Sequence, residues 1–443
     1  MKNDMTRGKI LPQLIGFTIP LVLGNLFQLT YNAADSMIVG KYLGGQALAA
    51  VGTAGPVMNL AILFISGMCM GAGILMSTYF GAKQYETLQR QISTSFLGGV
   101  IFSLFVTFIM LFFSHPVLSL IRVPKEILDS AAGYLRIIFT GFVFTFAYNF
   151  FSNTLRALGD SRASLYFLVI SSVFNIIGDL FFVAVLNMGV NGSALATVLS
   201  QMICCLCCII YIKKRVPMLC LGKKWLVFDK NLLQRTFSYG ITSALQMMCV
   251  QLGKVFVQSM VNLQGVAFMA AFTAVNRVDD FALTPQQNIA HAATTFMAQN
   301  KGAGQYDRMK RGFTCGILLQ LCYTLLIGVC VFLFAEPIMK LFIPEESTDV
   351  ISLGVTYMHL ISVMYLLSGS GNIVQGFFRG IGDLKITLIS SLLNISVRVI
   401  SVFIMFHFFQ GSFGSLAWAC CFGWISMNLL EIPLLIKTMR SMK

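Results

Sequence analysis

The chain has 443 residues, of which 57% are hydrophobic and only 11% are charged. A water-soluble protein carries about 25% charged residues because its surface faces water, so this composition excludes a soluble globular domain and indicates a chain that lies mostly in lipid. A net charge of +14 would suit a nucleic-acid-binding protein, but it also suits a membrane protein with basic cytoplasmic loops, and the position of the basic residues decides between the two.

Apolar stretches long enough to cross a bilayer as helices, about 20 residues each, follow one another along the chain. The first six predicted helices span residues 11–38, 47–79, 92–113, 131–153, 164–186 and 190–212. The next six span residues 237–261, 267–298, 313–334, 352–375, 386–408 and 413–437. The sequence therefore predicts an all-α integral membrane protein with twelve transmembrane helices.

The basic residues are concentrated in every second connection between these helices. With both termini in the cytoplasm, most of the 31 Lys and Arg residues fall on the cytoplasmic side. The outer loops hold only Lys41, Arg122, Lys125 and Lys340. This distribution obeys the positive-inside rule, and it predicts a multi-pass protein of the cell membrane with cytoplasmic termini and no nucleic-acid partner.

Three short motifs recur at nearly the same offset. The pairs are FGAKQY at 80–85 with KGAGQY at 301–306, LRALGD at 155–160 with FRGIGD at 378–383, and GVNGS at 189–193 with GSFGS at 411–415. An offset of six helices preserves orientation, so the two halves are parallel repeats.

The repeat divides the chain into a first half, residues 1–212, a basic linker, residues 213–236, and a second half, residues 237–443. Each half is expected to form a six-helix bundle, and the two bundles are pseudo-symmetric. The linker either lies along the cytoplasmic lipid surface or is a solvated loop.

Polar side chains inside the predicted helices are the main functional signal, because a charge at the centre of a membrane helix costs about 2.5 to 3.5 kcal/mol on insertion scales. Helix 1 carries Asn25, Gln28, Asn32 and Asp35 on one face. The other polar positions of the first half are Asn149 and Asn153 on helix 4, Ser171, Asn175 and Asp179 on helix 5, and Ser193, Thr197 and Gln201 on helix 6. These positions predict a buried network around two carboxylates, in which protonation near neutral pH is feasible; the alternative is a network that only holds helices together.

The second half carries charges of both signs. They are Lys254 on helix 7, Arg277, Asp279 and Asp280 on helix 8, and Arg398 on helix 11. Helix 8 also presents Asp280, Thr284, Gln287 and His291 on one face, interrupted by Pro285. Either these residues neutralise one another, with Lys254 against an aspartate, or they line the path of a substrate.

No catalytic motif is present. The sequence contains no Walker loop, HExxH or GxSxG, and no nucleophile with a base or metal triad is visible. We therefore expect neither an enzyme nor a cofactor, and we do not expect ATP-driven transport by this chain alone.

Several runs together resemble the multidrug and toxic compound extrusion (MATE) family. They are NAADSMIVG on helix 1, VNRVDDFALTPQQNIAHAATTFMAQNKGAGQ on helix 8, RALGDSRASLYFLVISSVFNIIGD in the first half and FRGIGDLKITLISSLLNISVRV in the second. The resemblance covers essentially the full chain and is greatest to the bacterial branch that includes the DinF-like exporters. It implies a monomer of two six-helix lobes in a V shape, which alternates between outward-open and inward-open states and exchanges H+ or Na+ for a small organic compound.

The resemblance also implies a cation site in the first half. Matched residue by residue, the site falls on Asp35, Asn153, Asn175, Asp179 and Thr197. H+ is the expected coupling ion; the alternative is Na+ held by the oxygen atoms of Asp35, Asn175, Asp179 and Thr197. We expect cation binding to change the packing of helix 1 by bending near Pro20.

The substrate cavity is expected to draw on both halves. Its candidate residues are Gln28, Asn32, Asn149, Lys254, Arg277, Asp280, Gln287, His291 and Arg398. The chain lacks the acidic residues on helices 7 and 10 that provide a second-half cation site in another branch of the family, so no such site is expected. Its basic residues extend the expected substrates from cations to zwitterions and anions. An alternative function is a flippase for lipid-linked saccharides, which shares this helical layout; a rescue test in cells lacking their own flippase separates the two.

Overall fold

The computed structural model describes residues 4–216, 219, 226–344, 346–408 and 412–442. Within these ranges the regular structure is helical throughout. The first half contains α1 (Ile10–Gly81), α2 (Tyr85–Leu120), α3 (Lys125–Thr140), α4 (Phe142–Ala157), α5 (Ser161–Asp179), a π-helical turn (Leu180–Val185) and α6 (Val190–Arg215). The second contains α7 (Lys230–Asn262), α8 (Val266–Gly302), α9 (Tyr306–Leu333), α10 (Ala335–Phe342), α11 (Thr348–Ile381), α12 (Leu384–Phe408) and α13 (Ser415–Ser441).

These helices provide the twelve predicted crossings. In the described ranges, nine helices are long and apolar enough to cross a membrane, and α3 with α4 forms a tenth span bent by 49°. The 72-residue α1 contains two crossings, because Gly44 has non-helical angles (φ 82°, ψ −176°) between its two segments. The 37-residue α8 is long enough for the last crossing but less apolar, since it carries Arg277, Asp279 and Asp280.

Several predicted boundaries differ from the structure. Predicted helix 4 is not one straight span, because it breaks at Gly141. The connection predicted at 213–236 is shorter, because α6 continues to Arg215 and α7 already begins at Lys230. The short helix α10 has no counterpart in the prediction. Hydropathy identifies only the part of a helix that contacts lipid, so polar helical ends are missed.

The described chain forms two compact units. One comprises Ile19–Ala244, and the other comprises Leu245–Lys443 together with Met5–Thr18. Each unit has its own apolar core: the first contains Leu135, Phe139 and Phe142, and the second contains Tyr357, Tyr365 and Phe413. Parts of α1 and α7 therefore belong to the unit that is built mainly from the other half of the chain.

The beginning of α7 packs on α1 through small residues. A Cβ atom added to Gly67 would lie 2.3 Å from the Cα of Ala244, and one added to Gly71 would lie 2.5 Å from the backbone N of Gly240. Both pairs of small residues are spaced four apart, the arrangement that lets membrane helices approach backbone to backbone.

The beginning of the chain is held by α8 and α9. The backbone N of Met5 donates to Oε1 of Gln299 (3.0 Å), and Nη1 of Arg308 donates to the carbonyl of Gly8 (2.8 Å). Nη2 of Arg308 also donates to Oε1 of Gln13 (2.9 Å). These contacts explain why Met5–Thr18 belongs to the second unit.

Candidate functional site

Two carboxylates of the first half lie together between α1, α5 and α6. Asp35 on α1 accepts a hydrogen bond from Oγ of Ser193 on α6 (2.9 Å). Asp179, which is 0% exposed, lies beside Asp35 and Ser193. It is the last residue of α5 before the π-helical turn, an irregularity that is frequent at functional sites. We call Asp35, Asn175, Asp179, Ser193 and Thr197 the acid cluster.

Three buried oxygen atoms in the acid cluster have no hydrogen bond of good geometry. Nδ2 of Asn175 donates to Oγ1 of Thr197 (3.2 Å). Oδ1 of Asn175 and both carboxylate oxygens of Asp179 are buried without a hydrogen bond of good geometry to any described residue. A buried polar atom without a partner costs about 1 to 3 kcal/mol, and more when it is charged. A proton or a cation would remove this cost, so the arrangement is suited to bind one.

A separate polar cavity lies within the first unit. Its volume is about 210 Å³, and its walls include Asn25, Gln28, Asn149, Asn153 and Arg156. We call this space the polar cavity. It brings together residues from α1 and α4 that the sequence had grouped with the two carboxylates.

Asn153, predicted to join the cation site, lies in the polar cavity instead of the acid cluster. Its Nδ2 donates to the backbone carbonyl of Asn149 (2.9 Å), one turn earlier on α4. Tyr31 connects the two regions, because it lines the polar cavity and its hydroxyl lies near both Gln28 and Asp35. The polar face of helix 1 therefore runs from the polar cavity to the acid cluster.

Two other predicted positions of α1, Asn32 and Pro20, lie outside the acid cluster. Asn32 is exposed. Pro20 lines the polar cavity, and α1 keeps helical geometry through it, with Gly44 as the one interruption within α1. Pro20 also lies next to Ile19, where α1 passes from the second unit into the first.

The charged residues of the second half separate into a half-exposed pair and a partly buried group. Nζ of Lys254 lies 3.1 Å from Oδ1 of Asp280, and both side chains are about half exposed (49% and 45%). Arg277 and Gln287 are exposed, and His291 is partly buried.

Asp279 and Arg398 form the partly buried group. The hydroxyls of Tyr357 (2.7 Å) and Tyr365 (2.6 Å) donate to the two carboxylate oxygens of Asp279. Arg398 interacts electrostatically with Asp279 and lies beside Cys420. The tyrosines had no part in the predicted site, although Tyr357 and Tyr365 lie two turns apart on α11 and so share one face.

A second buried group surrounds Glu431 of α13, which sequence reasoning missed. Glu431 is 0% exposed. Nη2 of Arg379 donates to Oε1 of Gln375 (2.8 Å), and Arg379 interacts electrostatically with Glu431. Gln375 also donates to Oγ of Ser391 (3.1 Å). The signal was a single carboxylate within the predicted apolar span 413–437.

Known proteins resemble the chain over nearly its whole length. The family model MatE matches residues 20–181 and again residues 242–404. The chain is 31% identical over 402 residues to "Probable multidrug resistance protein YoeA" of Bacillus subtilis, a match that covers 88% of this chain and 86% of the relative. It is 21% identical over 404 residues to "Multidrug export protein MepA" of Staphylococcus aureus, covering 90% and 88% of the two chains.

Solved structures share the fold. The outward-facing conformation of a multidrug resistance MATE family transporter of the MOP superfamily superposes with a TM-score of 0.91 at 21% identity, over 99% of this chain and 98% of that one. A MATE in complex with MaL6 superposes with a TM-score of 0.92 at 22% identity, over 99% and 98%. The resemblance that the motifs suggested is confirmed, and the chain belongs to the MATE family of membrane transporters, which are not enzymes.

Proposed function

We propose that this protein exports small organic compounds across the cell membrane by alternating access, in exchange for a cation that binds the acid cluster. Export is supported by relatives named for multidrug resistance and multidrug export. Exchange is supported by the acid cluster itself. The observation that carries the proposal is the pairing of Asp179 with Asp35 in a place where neither carboxylate oxygen of Asp179 has a hydrogen bond of good geometry to a described residue.

The acid cluster favours H+ as the coupling ion. Two carboxylates side by side repel each other when both are charged, and one proton removes that repulsion and also supplies a missing donor. Asn175 and Thr197 contribute only neutral oxygens, which would complete a Na+ site but are not needed for a proton. Binding can drive a conformational change only if the two states bind the ion differently, and the loss of a buried charge on protonation provides such a difference.

Transport in proteoliposomes, with a pH gradient and a Na+ gradient imposed separately, tests the proposal. We expect a pH gradient alone to drive uptake of fluorescent cationic or zwitterionic dyes by the wild type. Asp35→Asn and Asp179→Asn are each expected to lower the gradient-driven rate at least tenfold, because each variant loses a carboxylate that accepts and releases the proton. Asp129→Asn is the matched control, because its side chain is 96% exposed.

Two results would contradict the proposal in different ways. If Asp35→Asn moved dye against its gradient at the wild-type rate, the acid cluster would have no part in coupling. If only the Na+ gradient drove uptake, H+ would be the wrong coupling ion, although the acid cluster would keep its assigned place.

A further inference from the structure

The polar cavity contains an unsatisfied arginine. Arg156, Ser152 and Gln201 all line it. Nε of Arg156, Oγ of Ser152 and Oε1 of Gln201 are buried and have no hydrogen-bond partner in the part of the chain that the structure describes. Buried polar atoms nearly always have partners, so these three residues are available to bind water or a polar ligand in the cavity.

The guanidinium of Arg156 also lacks a counter-charge. None of the ion pairs among the described residues includes it. The nearest acid along the chain, Asp160, is engaged elsewhere: it accepts from the backbone N of Ala163 (3.2 Å) and from the hydroxyl of Tyr211 (2.7 Å). An uncompensated cation out of bulk water is costly, so the cavity favours a negatively charged occupant.

The second half provides an internal control. In the repeated motifs LRALGD and FRGIGD, Arg379 occupies the position of Arg156. Nε of Arg379, like Nε of Arg156, has no hydrogen-bond partner among the described residues. The two arginines differ in their charge partners, because Arg379 donates to Gln375 through Nη2 and interacts with the buried carboxylate of Glu431. At the repeat offset, the first half has Cys208 or Ile209 in place of Glu431, and neither supplies a charge. Thus the protein itself provides an anion beside one arginine and leaves a cavity beside the other.

The size and walls of the polar cavity define its ligand. At about 210 Å³ it exceeds the cavity of about 150 Å³ that binds benzene in another protein. The amides of Asn149 and Asn153 can donate hydrogen bonds, and Leu165 and Tyr148 provide apolar contacts. A guanidinium binds a carboxylate through two parallel hydrogen bonds. We propose that the polar cavity binds the carboxylate group of a small aromatic or aliphatic organic acid, with Arg156 as its counter-charge.

This inference rests on the proposed function, because it names acids and zwitterions as the compounds that the protein exports. The polar cavity and the acid cluster both lie along the same face of α1. Tyr31 connects them, because it interacts with Gln28 of the polar cavity and with Asp35 of the acid cluster. A ligand on Arg156 and a cation on the acid cluster would therefore influence the same helix.

Binding of 4-fluorobenzoate to the purified full-length protein, followed by ¹⁹F NMR and calorimetry without any gradient, tests the inference. The neutral isostere 4-fluorobenzamide is the ligand control. We expect the amide to bind at least tenfold more weakly than the acid, and Arg156→Gln to weaken binding of the acid at least tenfold. Arg162→Gln, which changes an exposed arginine nearby on α5, should leave binding unchanged.

Equal binding of acid and amide, or unchanged binding of the acid by Arg156→Gln, would overturn the inference. If Arg156→Gln does not fold, as judged by its melting temperature, Arg156→Lys replaces it. That variant should bind the acid more weakly than the wild type but still prefer it to the amide; loss of the preference would also overturn the inference. Since no gradient is used, failure of ion-driven transport in Asp35→Asn is a separate result.

Discussion

The two halves place an arginine at the same point of the repeat and surround it differently. Arg379 has Gln375 as an acceptor and Glu431 as a buried counter-charge. Arg156 has neither, and it lines a cavity. The difference indicates that a six-helix bundle of this kind can stabilise the arginine internally, and that the first half has left this position open for a ligand.

Two carboxylates of the two halves also differ. Asp279 in the second half accepts hydrogen bonds from Tyr357 and Tyr365, whereas Asp179 in the first half lacks a hydrogen bond of good geometry from any described residue. Asp279 is thus satisfied by two tyrosines of its own half. Asp179 is incomplete without a proton or a cation, which is what an ion-binding site requires.

The largest expected difference between the halves concerns the two arginines. Arg379→Gln should lower the free energy of unfolding by about 3 to 5 kcal/mol, because it leaves Glu431 as an uncompensated buried charge. Arg156→Gln should change it by less than about 1 kcal/mol, because no partner loses a contact. Reversible unfolding in mixed detergent, followed by circular dichroism, measures both.

A double variant provides the control for that comparison. Arg379→Gln combined with Glu431→Gln should recover most of the lost stability, because removing both partners of a buried pair costs far less than removing one. Equal losses for the two single arginine variants would contradict the distinction between the halves.

A smaller effect is expected at the hydrogen bonds to Asp279 and Asp35. Tyr365→Phe removes a hydrogen bond of 2.6 Å to Asp279, and a hydrogen bond to a charged group contributes about 1.5 to 3 kcal/mol. Ser193→Ala removes a longer hydrogen bond, of 2.9 Å, to Asp35 in the first half. The same unfolding measurement should therefore show the greater loss for Tyr365→Phe; the reverse order would contradict the view that Asp279 is stabilised by its own half more strongly than Asp35 is.

The smallest effect is expected at the half-exposed ion pair. Lys254 and Asp280 lie 3.1 Å apart with side chains 49% and 45% exposed, and such pairs contribute about 0 to 1 kcal/mol. Lys254→Met should thus change the unfolding free energy by less than about 1 kcal/mol, and the loss should shrink further in high salt. A decrease in unfolding free energy as large as that of Arg379→Gln would contradict this assignment and would show that Lys254 stabilises the fold.

The pattern of polar residues predicted much of this organisation. Steps of three and four on helix 1 placed Asn25, Gln28 and Asp35 on one face, and the structure shows that face turned toward partners within the first unit. Periodicity gives the face of a helix but not the depth at which each residue meets its neighbours. For that reason one predicted network is two regions in the structure, with Asn153 in the polar cavity.

Other features could not be predicted because their signals are not periodic. Glu431 shares its face of α13 with only one nearby polar residue, Asn428, which is too short a pattern to mark a site, and its importance comes from Arg379 and Gln375 on α11. Arg156 lies outside the predicted helix 4, residues 131–153, because it follows the apolar part of that helix. In the structure α4 extends through Arg156 to Ala157. The bend at Gly141 likewise depends on packing, since a Cβ atom there would lie 2.5 Å from Val198.

The exchange of helix ends between the two units has a consequence for biosynthesis. The backbone N of Met5 pairs with Gln299, a residue 294 positions further along the chain. At about 5 to 20 residues per second, the ribosome makes that partner roughly 15 to 60 s after the first residues emerge. The start of α7 does not have to wait for a partner. Gly67 and Gly71 are synthesised before Gly240 and Ala244, so these residues can pack together as soon as α7 is made.

The first unit can therefore be completed soon after α7 is synthesised, while the first residues of the chain wait for the end of α8. A nascent chain stopped before Gln299 would hold the first unit with its amino-terminal segment unpaired. The second unit, by contrast, includes Met5–Thr18, the part of the chain that is synthesised first. This segment can join the second unit only after its partners on α8 and α9 have been translated.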